Sequence, residues 1–236
     1  EGLNSYDATT LSAANGAVLS QYKVVVLADT SLRAGDAANF STYVNGGGYL
    51  IAMRPDSQIA GLFGLGANQG TQTDGYLKMN GSGVSQGLST ATLQIHGTVD
   101  KYATAGATTL AQLYSSANSS TAFPAVAQSA NAHATAFLYD LARNVVYTRQ
   151  GNPANANVDT DGDTILRTID LFQSSSGSPW IDRDKMPIPQ ADEQQRLFAR
   201  LVQQAINAYQ PMPQLWYFPG TSKTVLISTA DAHANP

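Results

Sequence analysis

The clearest pattern of apolar positions spans residues 22–56 and reads as strand, helix, strand. Val24, Val25, Val26 and Leu27 form an unbroken, largely β-branched run, which suits a strand covered on both faces and so a parallel sheet. Asp29 and Thr30 end it in a polar loop. Phe40, Tyr43 and Val44 follow at helical spacing behind Asp36, a residue type suited to an N-cap. Gly46, Gly47 and Gly48 supply the left-handed conformation that closes a helix. Residues 49–53, Tyr-Leu-Ile-Ala-Met, are the return strand. A parallel partner reached through a helix crosses right-handed, so the loops at 29–33 and 54–56 open at one edge, where open α/β sheets bind ligands.

Elsewhere the periods are shorter. A strand at residues 3–7 and a short helix or turn within 13–21 lead into the Val24 run, and the domain is expected to lack its first strand and helix. Ile59, Leu62 and Phe63 make a helical turn that Gly64, Gly66 and Gly70 are expected to break. Period-2 alternation predicts strands at 76–79 and 92–96, and again at 110–114, 122–127, 135–139 and 144–147. Residues 152–180 read as a surface excursion held by Ile165, Leu166, Ile169, Leu171 and Phe172. The strongest helical stripe is Leu197, Phe198, Leu201, Val202, Ala205, Ile206 and Tyr209, within residues 190–209. Pro211, Met212 and Pro213 look like a linker, and residues 223–228 like the first buried strand of a second domain. The boundaries are therefore 1–210 for an α/β domain, with a doubly wound, mainly parallel sheet and helices on both faces, and 211–236 for the start of its neighbour.

Composition narrows the functions. Only 13% of the 236 residues are charged and the formal net charge is −4, with no basic cluster, so no nucleic-acid partner is expected. No apolar run approaches the roughly 20 residues of a membrane-spanning helix, and the first residues lack the charged and apolar regions of a signal peptide. No membrane partner is expected. Cysteine is absent, which excludes disulfides, thiolate metal sites and a cysteine nucleophile. A surface vocabulary of Ala, Ser, Thr, Asn and Gln, with little Lys or Glu, resembles that of secreted bacterial proteins and sets an extracellular location as the expectation.

The stretches VVVLAD, FSTYVNGGGYLIAMRPD, FLYDLARNVVYTRQGNP and IPQADEQQRLFARLV resemble the glutamine-amidotransferase-like domain of large secreted bacterial proteins. The resemblance runs from about residue 3 to 209 and is weakest in the insert between the second and third stretches. It implies the fold of class I glutamine amidotransferases, followed in such proteins by a polysaccharide-deacetylase-like domain that LISTADAHANP would begin. An amidotransferase needs a cysteine on a tight strand-to-helix turn, activated by a histidine and an acid. The matching turn, Ala52-Met53-Arg54-Pro55-Asp56, holds no such nucleophile, and Pro55 removes a backbone N–H that an oxyanion could use. The resemblance thus implies a non-catalytic scaffold or ligand-binding module of an extracellular carbohydrate-related protein. A fragment of a deacetylase-type hydrolase, with Asp231 and His233 as its first site residues, is the alternative, and a subunit of an extracellular assembly is another. Ala232 stands where deacetylases have a second acid.

Four further residues are candidates for a carbohydrate or small anionic ligand. Arg54 and Asp56 lie at the carboxyl edge, either as a ligand site with Arg54 as a fork donor or as an internal ion pair ordering the loop. Arg149 and Gln150, at the end of the predicted 144–147 strand, either converge on that edge or anchor a loop. Asn157, Asp159, Asp161 and Asp163 space oxygen ligands at alternate positions around Gly162, a pattern that suits Ca²⁺, although Thr168 stands where the closing glutamate belongs. An acidic loop without metal is the other reading. His96 and His133 read as ordinary core or surface residues.

Overall fold

A computed structural model describes residue 3, residues 6–173 and 180–210, and residue 226. One seven-stranded sheet organises them, in the order β1-β2-β7-β6-β5-β3-β4. The strands are β1 (Val24–Leu27), β2 (Tyr49–Met53), β3 (Leu65–Met79), β4 (Thr92–Thr104), β5 (Thr108–Ser116), β6 (Ser119–Gln128) and β7 (Ala134–Phe137). The helices are α1 (Gly16–Leu19), α2 (Ala34–Asn45), α3 (Leu141–Gln150) and α4 (Gln190–Tyr209).

The expected unit of residues 22–56 forms: β1 pairs with β2 in parallel, and β2 with β7 in parallel. Leu50, Ile51, Ala52 and Met53 are all buried, as are all four residues of β7, so both faces of these strands are covered. Phe40 and Val44 of α2 are buried, and so are Leu197, Leu201, Val202 and Ala205 of α4. Phe198 is half-buried and tilts against Phe137 at 6.4 Å between ring centres. Helix α2 begins one turn earlier than expected. Arg33 is its N-cap, and Asp36 sits in the first turn, where its carboxylate accepts the Arg33 N–H at 3.1 Å.

The sheet is mixed, so the expectation of a mainly parallel one is met only in part, at β1, β2 and β7. Pairs β3–β4, β3–β5, β5–β6 and β6–β7 are antiparallel. The physical reason lies in the connections: β5 to β6 and β6 to β7 are joined by short turns, which close antiparallel pairs but cannot make a crossover. β3 starts at Leu65 and absorbs Gly66, Gly70 and Gly75 as irregularities in its pairing with β4 rather than being broken by them. At the far end the sheet curls back, because Val99 of β4 bridges Tyr139 and the Asp100 N–H donates to the Leu138 carbonyl at 2.8 Å.

The predicted strand at 144–147 is instead the middle of α3. Asp140 caps that helix by accepting the Arg143 N–H at 3.0 Å. Leu141, Asn144, Val145 and Thr148 make its inner face, a spacing of three and four that the two adjacent valines conceal. Among residues 3–7, the described Leu3, Tyr6 and Asp7 belong to no strand. The excursion after α3 is held by polar groups rather than by its apolar residues, since Ile165, Leu166 and Ile169 are more than half exposed. Asn155 Nδ2 donates to the carbonyls of Asp170 and Gln173, and the Asn152 N–H donates to the Leu171 carbonyl at 2.7 Å. Gly151 (φ 87°) permits this: a Cβ there would lie 2.6 Å from the Leu171 carbonyl oxygen. The predicted strand at 223–228 lies outside the described residues apart from Leu226, which is exposed.

A candidate site at the carboxyl edge of the parallel strands

Residues leaving β1 and β2 meet at one edge, as the right-handed crossover requires. Arg54 follows β2 directly, with its N–H donating to the Phe137 carbonyl at 2.7 Å and Pro55 after it. Held on both sides, it adopts φ 41°, a left-handed conformation that is uncommon for a residue with a side chain. Its guanidinium donates through Nε and Nη2 to the Asp100 carboxylate at 3.2 and 3.0 Å, and through Nη1 to Asp29 at 2.9 Å. Burial alone would lower the Arg54 pKa, but the two carboxylates outweigh it and raise it. Two carboxylates on one guanidinium leave the cluster with a formal charge of −1, which disfavours an anionic ligand and leaves a neutral polar one compatible.

Asp56 is not the ion-pair partner of Arg54. It caps the 3-10 turn Ser57–Phe63, accepting the Gln58 N–H at 2.9 Å, and ties that turn to the β1 side by accepting the Leu32 N–H at 2.9 Å. Burial pushes its carboxyl upward, yet these backbone donors prevail and hold it below the ordinary carboxylate value. Arg149 lies on α3 rather than at a strand end and donates to Asp192 and Gln195 of α4 at 2.7 and 2.8 Å. Gln150 is the exposed last residue of the same helix. Neither makes a described contact with Arg54. The group at this edge is thus Asp29, Arg54 and Asp100. Asp100 is the member that sequence reading missed, and a single acid inside the apolar alternation of β4 was its signal, since a buried carboxylate needs a partner.

In the acidic loop, Asp159 and Asp161 come together with Asp170, their carboxylate oxygens all lying within 4.8 Å of one another. Asp163 instead pairs with Arg167, and Asn157 takes a left-handed φ of 63° in the turn. Asp170, two residues beyond Thr168, is buried and accepts from the Thr160 N–H, the Thr160 hydroxyl and the Arg167 N–H. Those donors hold its carboxyl below the ordinary value, while loss of water and then the charges of Asp170 and Asp159 push Asp161 up. The donor set is all oxygen and would suit a hard cation such as Ca²⁺. Asp231 and His233 lie outside the described residues.

His96 and His133 each stack on an aromatic ring. His133 stacks on Tyr49 at 4.3 Å, and His96 is buried against Trp180 at 4.2 Å with the rings 5° from parallel. Around His96 a polar network joins β4 to α3 and α4. The Gln94 and His96 N–H groups on the outer edge of β4 donate to Gln190 Oε1 and Asn144 Oδ1, at 2.6 and 2.7 Å. Gln194 Oε1 accepts from the Tyr139 hydroxyl and from Asn144 Nδ2. Side-chain amides thus close a sheet edge that would otherwise be open.

No family model matches the chain, and no curated protein matches it. Among solved structures it is similar to α-L-fucosidase isoenzyme 2 from Paenibacillus thiaminolyticus, at TM-score 0.42 and 15% identity over 51% of this chain and 21% of that one. A ThuA-like protein from Bacteroides uniformis gives TM-score 0.43 and 13% identity, over 56% of this chain and 66% of that one. The β-galactosidase from Bacillus circulans sp. alkalophilus gives 0.41 and 13%, over 55% and 23%. The chain spans less than two thirds of the length of each, and likenesses this distant leave its chemistry to its own residues.

Proposed function

We propose that the chain is a non-catalytic, glutamine-amidotransferase-like module that serves as a scaffold or ligand-binding unit in an extracellular, carbohydrate-related protein. The observation that carries this reading is Arg54. It occupies the tight turn after β2, where the resemblance would place a thiol, and its side chain is fixed by Asp29 and Asp100. A guanidinium paired in this way is neither a nucleophile nor a base. A clamp joining β1, β2 and β4 stands in the tight turn where the resemblance implies the reactive group. The test is a glutamine hydrolysis assay on the purified chain, with no ammonia release above background expected. Release that disappears in Arg54→Met would overturn the reading.

A further inference from the structure

At the opposite, amino-terminal end of the parallel strands lies a cleft of about 200 Å³ between α1, α2 and the end of α4. Its walls include Tyr22, Tyr43 and Tyr209, with Lys23, Asn39 and Thr42 between them. All three phenols are committed to the protein. Tyr43 points its hydroxyl at the carbonyls of Tyr22 and Tyr49, at 3.2 and 3.3 Å, and burial pushes its pKa up so that it stays a donor. Its ring lies against Gly48, where an added Cβ would come within 2.3 Å of the ring carbons. Tyr209 donates to the Gly47 carbonyl at 2.7 Å, and Tyr22 donates to Asp7 at 2.8 Å. The Lys23 ammonium sits 4.5 Å from the centre of the Tyr209 ring.

The rings are therefore fixed, and the uncommitted groups are those of α2. Asn39 and Thr42, three apart on one helix face, line the cleft, and their side chains have no hydrogen-bond partner among the described residues. Fixed aromatic walls present apolar surface with little entropy to lose on binding, while a free amide and a free hydroxyl both donate and accept. Among the described residues no carboxylate lines the cleft, which disfavours a cationic ligand. With the one lining ammonium, Lys23, held over the Tyr209 ring, a ligand suited to this arrangement has an apolar C–H face and neighbouring hydroxyls and needs no charge of its own. The volume lies below the roughly 300–1,000 Å³ of sites for drug-sized ligands, which fits a single ring.

We propose that this cleft binds one neutral pyranose unit, with a C–H face against the tyrosine rings and vicinal hydroxyls on Asn39 and Thr42. The inference uses none of the Arg54 residues, so its failure leaves the amidotransferase-like reading standing, and the reverse also holds. The test is saturation-transfer NMR on the whole chain with methyl β-glucopyranoside, methyl β-galactopyranoside and methyl α-mannopyranoside. At least one should receive saturation at its ring C–H protons. Asn39→Leu should weaken its binding by about tenfold, as loss of a buried polar contact does, while the melting temperature changes little because the Asn39 side chain makes no hydrogen bond among the described residues. Thr42→Val provides a second variant of the same kind. Absence of transfer from all three glycosides overturns the proposal. So does binding that both variants leave intact, or a cleft that takes inorganic phosphate on Lys23 in preference to the sugars.

Discussion

The guanidinium of Arg54 meets the carboxylate of Asp100 through two hydrogen bonds, at 3.0 and 3.2 Å, across 46 residues of sequence. With Asp29 on the third nitrogen, this joint ties the start of the fold to its inserted hairpins. Removing the cation would leave two carboxylates facing one another. Breaking a fully buried pair costs roughly 3–5 kcal/mol; here 24% of the arginine side chain is exposed, and solvent screening brings the expected loss for Arg54→Met to about 1–3 kcal/mol. Urea denaturation should show it as a lower midpoint at unchanged slope. Adding Asp100→Leu should recover part of the loss, since one unpaired charge goes with it. A double variant no better than the single one would contradict the clamp.

Gln194 is completely buried and serves three groups, accepting from Tyr139 and Asn144 and donating to the Gln94 carbonyl at 3.2 Å. Gln194→Leu keeps the volume but strands two donors, each worth about 1–3 kcal/mol when left unpaired. A total loss of about 2–6 kcal/mol is expected. Because Asn144 in turn holds the His96 N–H, amide exchange at His96 should quicken more than at Leu50 in the centre of the sheet. Uniform quickening would mean that the network does not specifically hold the edge of β4.

The network also shows what the sequence conceals. The β1–α2–β2 unit was legible because its period changes within a few residues and its turns carry glycine. The stripe of α4 was legible because its apolar residues are spaced by threes and fours. Helix α3 was not: Val145 and Val146 imitate a strand locally, and only packing of Leu141 and Asn144 against distant elements decides otherwise. The same holds for the Arg54 site. The position of the turn could be read from its local pattern, but its partners Asp29 and Asp100 come from other strands, and strand order was not available to local spacing. Asp56, the nearest acid in sequence, offers itself to local spacing as an ion-pair partner or fellow ligand group of Arg54, while the fold uses it as a cap. In the acidic loop, Asp170 joins the cluster because a 3-10 turn brings it back, which the comparison with a regular twelve-residue pattern could not register.

Asp161 gives a charge test of that loop. Its carboxyl is pushed above the ordinary 3.8, so the folded state disfavours its charge. The resulting penalty is absent below 3.8, grows as pH rises through the folded pKa and is complete at neutral pH. Asp161→Asn should therefore raise the melting temperature at pH 7 and leave it unchanged in acid below 3.8. A calcium titration reads the same charge by another route: bound Ca²⁺ would raise the wild-type melt by mass action and leave Asp161→Asn unmoved. An unchanged wild-type melt in calcium and in chelator would assign the cluster to loop structure alone. An Asp161→Asn variant that is less stable at pH 7 would contradict the assigned repulsion.

His96 sets the pH dependence of the joint between β4 and the Trp180 segment. Burial against Trp180 lowers its pKa from 6.5 to about 4, an effect that the Asp74 charge opposes without reversing. The unfolded chain therefore binds a proton at a pH where the native state does not. Stability is full above 6.5, falls as pH drops from 6.5 towards 4, and reaches its largest deficit below 4, where both states are protonated. That deficit is about 3 kcal/mol, from some two and a half units at about 1.4 kcal/mol each. His96→Phe keeps an aromatic ring on Trp180 and removes the titration. Urea midpoints measured across this range should fall for the wild type and stay nearly level for the variant, after subtraction of the carboxylate contribution that both share. Parallel pH profiles for the two proteins would show that His96 takes up its proton as readily in the native state as in the unfolded chain, and would overturn the assigned effect of burial.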